Sequence, residues 1–143
     1  MSKQNVNNQQ IMLENRKIAK VIEQLHQELA SIQSGIVEKT IGISTLNEDI
    51  KSLKKKKKIL MPVGGQVYLY ADILPVDTAL VNVGANIFIM KKKAEAKEFL
   101  EKRITMFEEA HSKRLEAIQT LQRRYDEVNA FLTEQQMKAE SKI

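Results

Sequence analysis

Leu60-Met61-Pro62-Val63-Gly64-Gly65-Gln66-Val67-Tyr68-Leu69 returns twenty residues later as Leu80-Val81-Asn82-Val83-Gly84-Ala85-Asn86-Ile87-Phe88-Ile89. Leu, Val and Gly recur unchanged, and most other positions keep their character. Each copy is a run of β-branched, aliphatic and aromatic residues broken by a Gly-centred turn, which predicts a β-hairpin. Glycine supplies the positive φ such a turn needs. Pro75-Val76-Asp77 separates the copies, so the chain should form two consecutive hairpins, over 59–74 and 78–90.

Two isolated hairpins are marginal in water. Val67, Leu69, Ala71 and Ile73 point one way, while Tyr68, Tyr70 and Leu74 point the other. With apolar residues on both faces and little else in the chain to cover them, strands from other chains are expected to complete the sheet. The residues assigned to subunit assembly are Leu60, Val63, Val67 and Leu69 in the first hairpin, and Leu80, Val81, Val83, Ile87, Phe88 and Ile89 in the second.

The flanks read as long helices. From about Val6 to Lys54 there is no proline, and apolar residues keep a seven-residue beat. Asn15, Ile22, Leu29, Ile36, Ile43 and Ile50 share position a; Ile11, Ile18, Leu25, Ile32, Lys39, Leu46 and Leu53 share position d. That is a coiled-coil seam with two polar interruptions. Gly35 and Gly42, one heptad apart beside it, are read either as a thin or bendable middle or as ordinary non-Ala positions in a long helix. The span 94–140 repeats the pattern, with Ile104, His111, Ile118, Tyr125 and Leu132 on one position and Leu100, Phe107, Arg114, Leu121, Val128 and Gln135 on the other. Folded back antiparallel, the seams align when facing residue numbers sum to about 150. That register sets Lys39 opposite His111, Leu29 opposite Leu121 and Asn15 opposite Gln135, and centres the return on Pro75.

Composition narrows the function. The 143 residues are 43% apolar and 29% charged, with a net charge of +5 and no cysteine. Disulfides and thiolate metal sites are excluded, and a cytoplasmic location is expected. No apolar run is long enough for a membrane helix, and the polar start resembles neither signal peptide nor anchor. Five lysines, Lys54 to Lys58, and then Lys91-Lys92-Lys93 should form a basic collar where coil meets sheet. No stacking aromatics sit among them, so nucleic acid is not an expected partner. Nothing pairs a nucleophile with a base. His111 reads as a seam residue, and the glycine turns lack the lysine and helix of a phosphate loop. No catalysis, cofactor or metal is expected.

A coil, two hairpins and a returning coil resemble the α-class subunit of prefoldin. The likeness is carried by Leu60-Met61-Pro62-Val63-Gly64, by Leu80-Val81-Asn82-Val83-Gly84-Ala85-Asn86, and by Ala94-Glu95-Ala96-Lys97-Glu98-Phe99-Leu100, which is similar to the family's helix restart. It implies a mainly α, α+β fold: one subunit built as a long antiparallel two-helix coiled coil with two hairpins that assemble into an intersubunit β-barrel. It also implies an ATP-independent holdase, a hetero-hexamer with a second α subunit and four β-class subunits, that passes unfolded polypeptides to a group II chaperonin. Met12, Leu13, Phe131 and Met137 lie off the seam, and Ile11 and Leu132 would be freed by fraying. These six are the expected client-binding residues, with 12–13 set beside 137–138 by the register. Phe99 and Met106, also off the seam, are expected to pack against the hairpins. The alternative is a scaffold or filament protein of the same architecture whose basic collar binds an acidic partner.

Overall fold

The computed structural model describes residues 3–51 and 57–141. Helix α1 spans Lys3–Lys51. The strands are β1 (Lys57–Gly64), β2 (Val67–Ile73), β3 (Thr78–Gly84) and β4 (Ile87–Lys92), and helix α2 spans Lys93–Ser141. Strands β1 and β2 form one antiparallel two-stranded sheet, and β3 and β4 another. Two long helices with two antiparallel hairpins are the predicted fold class. Lys54 to Lys56 and the seam residue Leu53 lie outside the described residues.

The hairpins owe their shape to their turns. Gly65 and Gln66 have φ of 58° and 60°, and Ala85 and Asn86 have 50° and 58°. Positive φ at both central residues is the type I′ turn, whose twist matches that of the flanking strands. Just before each turn the ladder skips a residue: pairing passes from Pro62–Tyr68 to Gly64–Val67, and from Asn82–Phe88 to Gly84–Ile87. Val63 and Val83 are therefore bulged. Gly64 and Gly84, at φ 111° and 123°, supply backbone that a side chain would resist. In the second copy Asn82 Oδ1 also accepts the Gly84 N–H at 3.0 Å.

The chain divides into two compact units, residues 1–35 with 107–143, and residues 36–106. In the first, α1 and α2 run antiparallel with the predicted seam facing inward: Ile22 and Ile118 are buried, and Ile11, Ile18, Leu25, Leu121 and Leu132 are half-buried. The register differs from the expected one. Arg114 Nε donates to Glu28 Oε2 at 2.6 Å, and a Cβ added at Gly35 would meet the Phe107 ring, both pairs summing to 142. Asn15 Nδ2 donates to Asn129 Oδ1 at 2.8 Å and, weakly, to the Tyr125 carbonyl at 3.5 Å. The return is thus one heptad away from the predicted alignment. Leu29 falls level with Arg114 rather than Leu121, and Lys39 no longer faces His111.

The heptad slip has a physical cause. Two polar seam residues, Arg114 and Asn15, donate to residues flanking the seam rather than to polar seam residues opposite. Arg114 is long enough to leave its layer for Glu28, and Asn15, only 4% exposed, pairs with Asn129 just outside its own. Gly35 is likewise explained by contact: Phe107 fills the place of its missing side chain, so no hinge is needed to account for this glycine.

In the second unit Gly42 lies against Leu100, again summing to 142, and Ala96 is buried. Phe99 is half-buried and Met106 exposed within the single chain.

Candidate functional site

Apolar side chains that a folded chain leaves in water mark where it expects company. Of twenty-four large hydrophobic residues exposed among the described ones, fourteen lie between Leu60 and Met90. The hairpins are the principal candidate surface.

Pairing decides which residues share a face. On one side of β1–β2, Ile59 faces Ala71 and Met61 faces Leu69; on the other, Leu60 faces Tyr70 and Pro62 faces Tyr68. Ile59, Ala71 and Ile73 are half-buried, whereas Leu60, Val63, Val67 and Leu69 are exposed, and Tyr70 is 82% exposed. In β3–β4, Ala79, Val81, Val83 and Lys91 are half-buried. Leu80 faces Met90 on the opposite side, and both are exposed, as are Ile87, Phe88 and Ile89. The predicted assembly set therefore divides, with Val81 lining a cleft against the helices, Val83 half-buried, and the other eight exposed. Tyr70 and Met90 were missed, although they hold equivalent places in the repeat and lie across from Leu60 and Leu80.

Between β3 and the two helices lies an open cleft of about 640 Å³, lined by Leu46, Ala79, Val81, Ala96 and Leu100 together with Lys39 and Arg103. Arg103 Nη2 donates to the Val83 carbonyl at 3.1 Å. The collar is only partly present here. Lys91 lies over the Phe99 ring at 5.8 Å and Lys93 is buried, so of these three lysines only Lys92 is exposed. Lys58 is exposed too, while Lys54 to Lys56 lie outside the described residues.

The second candidate surface is in the first unit, toward the termini. Met12, Leu13, Phe131 and Met137 are exposed, Met137 by 67%, and Ile11 and Leu132 are half-buried. Met12 lines a shallow depression of about 160 Å³ with Asn15, Arg16, Tyr125, Asn129 and Leu132. The 142 register thus sets Met12 beside Asn129 and Leu132, not beside 137–138. By heptad position Met12 (e) and Phe131 (g) flank opposite sides of the seam. The six residues form two strips rather than one patch.

Nearby, Arg114 holds the Glu28 carboxyl below its ordinary pKa. Its hydrogen bond is the largest cause, and its charge and Gln24 add to it against a partial desolvation that pushes upward. Among the described residues no group of three or more His, Asp or Glu is placed to hold a metal, and no helix is long and apolar enough to cross a membrane.

Comparison with known proteins agrees with this geometry. The family model described as prefoldin subunit matches residues 10–138. The chain is 41% identical over 86 residues to the prefoldin subunit alpha of Thermofilum pendens, covering 60% of this chain and 66% of that one. It is 32% identical over 113 residues to the prefoldin subunit alpha of Methanoculleus marisnigri, covering 78% and 73%. These matches span about two thirds to three quarters of the relatives' length. In structure it is similar to a chain of the cryo-EM structure of filamentous PFD from Methanocaldococcus jannaschii, with a TM-score of 0.68 and 25% identity over 80% of this chain and 94% of that one.

Proposed function

The chain belongs to the prefoldin family as a chaperone subunit of its α class, and we propose that it forms a hetero-hexamer with a second α and four β-class subunits. The observation that carries this is the pair of two-stranded sheets, apolar on both faces and without strand partners at their outer edges within the described chain. Such edges and faces invite strand addition, and closing them into a barrel removes both liabilities. The hexamer is a cytoplasmic, ATP-independent holdase without catalytic activity. It holds unfolded polypeptides against Met12, Leu13, Phe131 and Met137, with Ile11 and Leu132 joining on fraying, and passes them to a group II chaperonin. Methionine suits this because its unbranched, polarizable side chain adapts to irregular partners.

Assembly is tested with L80E/M90E, which charges the outward face of the second hairpin and leaves Val81 against the helices. Mixed with β-class subunits, the variant should keep its helicity but fail to form the hexamer mass. Unchanged mass would count against the barrel. Capture is tested by changing Met12, Leu13, Phe131 and Met137 together to Ser within intact hexamers. Suppression of client aggregation should weaken, and undiminished suppression across several client sizes would remove these residues from the capture surface.

A second reading has one observation in its favour, the filamentous assembly named for the Methanocaldococcus jannaschii protein. In it the same hairpins join copies of this chain into a scaffold. Growth of the purified chain to high mass without β-class subunits would support it. A monomer or small oligomer that forms hexamers only on mixing would support the first reading.

A further inference from the structure

The two hairpins are copies in sequence and in turn geometry, yet they differ in how they meet the helices. Each bulge takes a valine out of register with the facing strand, where its carbonyl can accept from a donor outside the ladder. The Val83 carbonyl finds one in Arg103 Nη2 at 3.1 Å. Among the described residues no such bond reaches Val63, its counterpart in the first hairpin, which is exposed.

Arg103 is itself held in place. Its guanidinium carbon lies 5.0 Å from the centre of the Phe99 ring, one turn earlier on α2, and Lys91 Nζ from β4 lies 5.8 Å from the same ring. A flat, delocalised cation can stack on a ring and still donate from its edge, which an ammonium cannot do equally well. The contact also accounts for Phe99, an off-seam aromatic that the coil does not require. Gly84 is required by its φ of 123° rather than by space, since a Cβ there would meet Nη2 only at an ordinary contact distance of 3.9 Å.

We infer that Arg103 is a positioning residue that fixes the second hairpin on α2 before assembly. The first hairpin lacks this tie and is the one that adjusts to an incoming subunit. A partner thus meets one preset strand pair and one adaptable pair. The inference rests on the reading of the hairpins as assembly elements, and its two parts have separate readouts.

The test is amide hydrogen exchange of the full chain alone, followed by its association rate with β-class subunits. R103M keeps an unbranched stem over Phe99 and removes the donors; R103K keeps one donor group. In R103M, exchange across 78–92 should speed up by about tenfold, the scale of losing one charge-assisted bond. Exchange across 57–73 and 107–141 should not change, and R103K should recover part of the loss. Association of R103M should slow while the final mass stays the same. Unchanged exchange across 78–92 would overturn the tie, as would equal loosening of both hairpins. Faster exchange with an unaltered association rate would overturn the role in assembly. Should the wild-type chain not associate with β-class subunits at all, the assembly reading fails, and the exchange data still decide whether Arg103 holds the hairpin.

Discussion

Replacing Gly35 with Ala sets two effects of similar size against each other, and the structure says which wins. In a helix interior the change gains about 1 kcal/mol, because glycine loses more backbone entropy on folding. Against this, the new Cβ would lie 2.5 Å from Phe107 Cε2 and 3.1 Å from Cδ2. Carbon atoms in contact sit about 3.5–4.0 Å apart, so the ring must withdraw by about 1 Å. Phe107 is a half-buried seam residue, and forcing it from its layer carries the usual overpacking cost of about 1–3 kcal/mol. The net expectation for G35A is a loss of about 0–2 kcal/mol.

Gly42 is the internal control. A Cβ there would meet only Leu100 Cδ1, at 3.2 Å, the end of a flexible side chain that can yield a few tenths of an ångström. Propensity should win, and G42A should stabilise the chain by about 0.5–1 kcal/mol. Removing the ring supplies the second control. In an F107L background G35A should become stabilising by about 1 kcal/mol, a reversal that reports direct coupling. Urea unfolding of the full chain, followed by far-UV circular dichroism, measures all four variants against the wild type. If G35A stabilises as much as G42A, or if F107L leaves its sign unchanged, then Phe107 is not the reason for glycine at this position.

Three further outcomes are expected. Because the chain has no cysteine of its own, L25C/I118C should oxidise to an intrachain disulfide while L25C/Y125C should not, since only pairs whose Cα atoms lie within about 7 Å can be bridged; the opposite result would restore the 150 register. The Glu28 carboxyl is depressed by Arg114, so its stabilisation is full above the unfolded carboxylate pKa and is lost as pH falls through the lower folded value. The difference in urea midpoint between wild type and E28Q should therefore be present at neutral pH and vanish in acid, and a difference that persists there would contradict the pairing. Ala85 holds a φ of 50° that costs a non-glycine residue about 1 kcal/mol; A85G should slow exchange across 78–92, and faster exchange would show that the turn is not strained.

How much of this was legible beforehand depends on which distance carries the information. The seam was readable because burial in a coil repeats every seven residues, and the buried Ile22 and Ile118 and the half-buried Leu25, Leu121 and Leu132 follow the predicted positions. The register was not, because a slip of one heptad returns every seam position to an equivalent one. Pairing polar interruptions with each other presumed that each layer satisfies itself. Arg114 reaches Glu28 and Asn15 reaches Asn129, so the deciding partners lie on the flanks, where charged and amide residues look like ordinary solvated surface. The assumed midpoint at Pro75 also misled. Strand β4 passes into α2 between Lys92 and Lys93 with no linker, so α2 begins directly at the end of the second hairpin.

The same contrast explains the candidate sites. The hairpins were legible from glycine spacing and a twenty-residue repeat, and the off-seam apolar residues from heptad position alone. What escaped were relations across elements. Met12 and Phe131 are both exposed, yet which residues each stands beside follows from the register. Arg103 at a g position reads as a solvated cation until the structure shows it donating to the Val83 carbonyl at the bulge, and a bulge is not visible without its ladder. A family likeness could supply the hairpins as an assembly module but not this asymmetry between them. The repeat, taken alone, argued that the two hairpins were interchangeable. Their equal turns and unequal anchorage point instead to a division of labour within one subunit, one hairpin fixed and one adaptable.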